Sequence, residues 1–130
     1  MLLDPIVSQQ AALKIKEKQK IVLLEKFEIF EKALGNPKRR NLAEIDFHQQ
    51  IYNSTNNRFL SGLNHLVKAM IEESHNTHSF ESSINTRIRR KIVEAIVNEK
   101  ASDAFEATQE LIRLIKNERI RVKKVHSKYL

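Results

Sequence analysis

Glu44 and His48 are the residues of this chain best spaced to do chemistry together. They stand four apart in the stretch running from Glu44 to Asn57, E-I-D-F-H-Q-Q-I-Y-N-S-T-N-N. On a helix both side chains point the same way and could grip one ion or one ligand. A carboxylate beside an imidazole suits metal ligation, hydrogen bonding to a ligand or proton transfer. Asn57 lies where the helical pattern breaks and restarts. Its carboxamide could bond a ligand or serve the turn, and the same two roles are open to Asn53.

The elements that must carry these residues are legible from periodicity and caps. Asp4-Pro5 reads as an N-cap and first helical residue, opening a helix to about residue 15. A second helix over about 17–34 bears the stripe Leu23, Phe27, Phe30 and Leu34. Gly35-Asn36-Pro37 ends it, with Gly35 expected as a left-handed cap and Pro37 as the restart. The third helix, about 38–54, places Leu42, Ile45 and Tyr52 on a face that passes through His48, with Phe47 and Ile51 beside it. His48 is therefore predicted to point inward.

The polar run 53–57 is a turn, and a fourth helix is expected with Leu60, Leu63, Val67 and Met70 toward the core. Residues 72–79 have no apolar period and read as a loop. Ile84, Ile88, Ile92 and Ala95 form the stripe of a fifth helix ending near residue 98. Ser102 or Asp103 can cap the sixth, which turns Ala104, Thr108, Leu111 and Ile115 inward and runs to about residue 121. Six helices with short connections predict one all-α domain over residues 1–130, an antiparallel bundle whose last ten or so residues form a basic tail.

Composition agrees with helices: two glycines, two prolines and 6% aromatics among 130 residues. There is no cysteine, which removes disulfides and thiolate zinc sites and suits a cytoplasmic location. The longest unbroken apolar run is Ile21 to Leu24, far short of a membrane span. The net charge of +7 is concentrated at one end. Residues 112–130 carry seven Lys or Arg against the single acid Glu118, while residues 1–111 carry sixteen against fifteen. Arg119, Arg121, Lys123 and Lys124 could bind nucleic acid through phosphate alone, but only Tyr129 accompanies them and no stacking platform is interleaved. Basic residues also suit a solvated helix C-terminus.

The acidic residue, Phe47-His48 four on, and Asn57 before a new apolar run resemble the effector-binding (FCD) domain of GntR-type bacterial transcription regulators, the FadR-like subgroup. The resemblance extends through the second half. There the family commonly reads His-x-x-Ile-x-x-Ala-Ile, Gly-Asp, then an Ala-rich helix ending Met-x-x-His-Leu. This chain has Arg89, Ile92, Ala95 and Ile96, then Glu99-Lys100, then Ala104, Thr108 and Leu111-Ile112 at matching spacings. The resemblance implies a FadR-like helical bundle and a homodimer. It also implies a small carboxylate or acyl effector, with DNA reached only through an N-terminal winged helix that this chain is too short to include.

In the family, the carboxylate and His48 would be two of four ligands of a buried metal. Glu44 stands here for the usual aspartate, Arg89 for the third ligand and Leu111 for the fourth. A guanidinium cannot ligate and leucine offers no donor. Glu44 and His48 alone would hold zinc or nickel weakly, and His75 or His78 are the only replacements in reach; as further readings, these two and His65 are exposed polar residues and His126 belongs to the tail. The expected alternative is a metal-free pocket. In it Arg89 takes a ligand carboxylate in a two-pronged pair, His48 adds a hydrogen bond, Glu44 neutralises Arg89 when the pocket is empty, and Asn57 lines it. A structural Glu44-His48-Arg89 cluster without ligand is the competing reading. An enzyme, such as a metal-dependent hydrolase, is not expected: no second carboxylate cluster, Ser-His-Asp set or phosphate-cradling glycine loop is present. An orphan dimerisation module remains the other class.

Overall fold

The computed structural model of the chain describes residues 4–63, 65, 66, 68, 69 and 83–129, with side chains described over 86–117 in the last stretch. Among the described residues there is no strand, and six helices have defined bounds: α1 (Pro5–Lys14), α2 (Glu17–Lys32), α3 (Pro37–Asn53), α4 (Arg58–Ser61), α5 (Ser83–Val97) and α6 (Ala101–Tyr129); residues 65, 66, 68 and 69 are helical as well. The expected all-α bundle is what forms.

Local chemistry sets the boundaries. Asp4 Oδ1 accepts from Ile6 N at 2.7 Å and Pro5 occupies the first turn, so α1 starts as expected. Asn36 caps α3 by accepting from Arg39 N at 3.2 Å, ahead of Pro37. Gly35, however, does not take a left-handed backbone. Ala33 closes α2 in the right-handed region, its N–H shared between the Ile29 and Phe30 carbonyls, and Asn36 N returns to Ala33 O at 3.0 Å. A tightened last turn satisfies the carbonyls that a glycine cap would have served.

The α5–α6 corner also differs from expectation. α6 begins at Ala101, ahead of both Ser102 and Asp103. The turn is closed by backbone alone: Lys100 N donates to Ala95 O at 2.8 Å and Glu99 N to Ile96 O at 3.0 Å. That pair of bonds requires a left-handed residue, and Glu99 supplies it with φ 58°. The helix then continues to Tyr129, so the basic end is helical in backbone. α4 is a single turn, with Leu60 and Leu63 partly buried. Val67, Met70 and the 72–79 stretch with His75 and His78 lie outside the described residues.

Two helical hairpins share α1. α2 packs on α3, α5 packs on α6, and α1 touches α3, α5 and α6. Ala11, Ala12, Ala104 and Ala107 are buried where small side chains let α1 and α6 approach closely. There Thr108 Oγ1 donates to Ser8 Oγ at 2.8 Å, satisfying two buried hydroxyls. The α2–α3 seam is aromatic: Phe27 and Phe47 centroids lie 5.3 Å apart, and Phe30 stacks on Phe47 at 5.9 Å. Leu42, expected on the inward face, is 65% exposed. Six residues before His48, it lies roughly 120° round the helix and falls off the edge of the buried face.

Candidate functional site

α3 threads a row of polar residues through the core. Glu44 and His48 are both buried and share a face, with Glu44 Oε1 3.7 Å from His48 Nε2. Arg89, on α5, reaches in from the other hairpin and places Nη2 3.2 Å from the same carboxylate oxygen. Glu44, His48 and Arg89 are thus brought together from positions 45 residues apart, at 0–2% exposure.

An aromatic floor supports the three. The Arg89 guanidinium sits 5.5 Å over the Phe30 ring, Phe30 stacks on Phe47, and Phe47 meets the His48 ring edge-on at 5.3 Å. The ring face under the cation adds attraction that grows with desolvation. Arg90, next in sequence, turns outward to pair with Glu31 on α2. Two adjacent arginines therefore split between core and surface.

One turn before Glu44, Arg40 is also buried, at 6% exposure. The spacing that joins Glu44 to His48 extends back to it, so Arg40, Glu44 and His48 stand at successive turns of α3. This residue is absent from the sequence reading; the four-residue spacing was the signal for it. None of Arg40, Glu44, His48 and Arg89 is without a partner.

Asn57 has a different setting. It is exposed, and its Oδ1 accepts from Leu60 N at 3.1 Å to cap α4. Its neighbour Asn56 holds more together: with φ 53°, its Nδ2 donates to Lys14 O at 2.6 Å and to Gln19 Oε1 at 3.0 Å, while Gln19 Nε2 donates back to Asn56 Oδ1 at 2.9 Å. Asn53 contributes its backbone carbonyl to Gln19 at 3.3 Å. These bonds tie the end of α3 to the α1–α2 corner. One turn past His48, Tyr52 is buried, and its phenol is pushed above its usual range, first by burial and then by the Asp4 carboxylate.

The donor set does not fit the four-ligand metal site that the resemblance implies. Arg89 points a cation at Glu44, and Leu111, buried on α6, offers no donor. Among the described residues no three His, Cys, Asp or Glu are grouped as metal ligands. A cleft of about 360 Å³ lies elsewhere, between α5 and α6, lined by Lys91, Glu94, Lys100, Asp103, Glu106 and Glu110 among others. None of Glu44, His48, Asn57 or Arg89 lines it. Among the described residues no helix is long and apolar enough to cross a membrane.

Comparison with known proteins bears on the whole chain. Among solved structures, a Streptococcus agalactiae GntR is similar with a TM-score of 0.69 and 22% identity, over 91% of this chain and 53% of that one. The chain thus spans about half the length of that relative, and the likeness is one of fold. No curated protein matches. The family model of the FCD domain matches residues 1–114, nearly the entire helical bundle, and the chain belongs to the FCD domain family.

Proposed function

We propose that this chain is the effector-sensing and dimerising part of a GntR-type transcription regulator, and that its effector is a small carboxylate or acyl metabolite held at Arg89. The observation that carries this reading is the enclosed Arg89–Glu44 pair beside His48. A guanidinium fork holds a carboxylate through two parallel bonds, and Glu44 supplies the internal carboxylate for which a ligand acid exchanges. His48 adds a hydrogen bond to the incoming acid. The role is regulatory rather than catalytic. An effector that binds one dimer arrangement better than another, by roughly 1–3 kcal/mol, changes affinity for DNA 5- to 150-fold through a winged-helix module.

Native mass spectrometry of the purified chain tests this directly, since one spectrum gives subunit count and any retained small molecule. A dimer carrying an organic acid is expected, and Arg89→Ala should abolish ligand-induced thermal stabilisation. Ligand binding unchanged in Arg89→Ala would overturn the reading. A second reading is favoured by the tight enclosure of Arg89 between Phe30 and Glu44: a purely structural cluster. A wild-type domain that takes up no acid from a broad panel would establish that alternative.

A further inference from the structure

We infer that the effector carries two acidic groups, and that Arg40 is the second residue that recognises them; this rests on the effector reading above. Arg40 and Arg89 are 6% and 2% exposed. Glu44, the one buried carboxylate among the described residues, stands one turn along α3 from Arg40 and lies 3.2 Å from Arg89 Nη2.

Burying a guanidinium is costly unless its charge is met, and a surface position would have avoided that cost. Two such groups are nonetheless buried, one a turn before Glu44 on α3 and one against Glu44 from α5. The four other buried polar residues, Ser8, Ser54, Thr55 and Thr108, are neutral hydroxyls that satisfy one another or the backbone. The set of Arg40, Glu44, His48 and Arg89 is where buried charge collects. Its members already have partners, so an acid enters by exchange rather than by filling a vacancy. A monoacid exchanges with Glu44 at Arg89 and leaves Arg40 as it was. A diacid offers each arginine its own carboxylate, and the preferred chain length reports the separation of the two guanidinium groups. His48, one turn beyond Glu44, then contacts the end of the acid held at Arg89.

The test is calorimetric titration of the intact chain, at matched ionic strength, with malonate, succinate and glutarate against propionate, butyrate and valerate. The expected result is that one diacid binds at least tenfold tighter than the monoacid of equal carbon count. Arg40→Met should erase that preference while leaving monoacid affinity within about threefold, and Arg40→Lys should restore part of it. Arg89→Met should weaken both classes. Equal affinity for diacids and monoacids in the wild type, or an unchanged preference in both Arg40 variants, would overturn the role of Arg40 and leave the Arg89 reading standing. Absence of binding by all six acids would overturn both. Circular dichroism of each variant separates loss of binding from loss of fold, and Arg40→Lys decides if Arg40→Met does not fold.

Discussion

At the residue scale, the buried ion pair has a stability consequence separate from any ligand. Removing one partner leaves the other charge enclosed, and such losses run to about 3–5 kcal/mol. Arg89→Met is expected to cost that much in urea denaturation, and Arg89→Met combined with Glu44→Met to recover most of it. A double variant no more stable than the single would show that Arg89 is not held mainly by Glu44. Tyr52 sets a pH dependence. Its phenol titrates higher folded than unfolded, so the stability it contributes is complete below about pH 10 and is lost as pH rises through the folded value. Lys20 acts in the same direction: its hydrogen bond to Glu17, opposed by burial and aided by Glu99, raises it. Stability should therefore fall on the alkaline side, and Tyr52→Phe should flatten part of that fall. An identical alkaline profile in Tyr52→Phe would contradict the assignment.

At the element scale, two corners depend on left-handed residues that are not glycine. Glu99 closes α5 at φ 58°, and its carboxylate meets Lys20 on α2 at 3.2 Å. Glu99→Gly is expected to raise the denaturation midpoint, because relief of the backbone, about 1 kcal/mol, outweighs a water-screened ion pair. Glu99→Ala keeps the strain, loses the pair and should lower the midpoint. Asn56 occupies the other corner and makes a reciprocal amide pair with Gln19. Asn56→Ala should cost about 2 kcal/mol, from strain plus lost hydrogen bonds, and Asn56→Gly about half of that. Equal losses in the two would mean that the backbone conformation contributes nothing.

At the scale of the whole molecule, the aromatic seam both joins α2 to α3 and forms the floor beneath Arg89. Phe47 is fully buried and contacts Phe27, Phe30 and His48. Phe47→Ala should cost about 3–5 kcal/mol, a large part of the roughly 5–15 kcal/mol that holds a domain of this kind folded. The same substitution should weaken acid binding, since the cation then lies on a floor with no backing ring. Unchanged acid affinity in a folded Phe47→Ala domain, measured by titration, would separate the seam from the site.

By itself the sequence determined the helical class, the N-cap at Asp4, the restart at Pro37, the inward direction of His48 and the four-residue link from Glu44 to His48, because caps and periodicity act over single turns. The stripe Leu23, Phe27 and Phe30 was legible for the same reason. Family likeness pointed to Arg89, but that its guanidinium lies on Phe30 and reaches Glu44 depends on the packing of α5 against α2, which no local pattern encodes. Position 99 shows the limit of local chemistry: a glutamate has a weak preference for a left-handed corner, and the α5–α6 packing imposes it. Leu42 was misplaced because periodicity gives a face without its width. Only the tertiary structure decided which turn of α3 lies at the edge of the core, and so placed Arg40 inside and Leu42 outside.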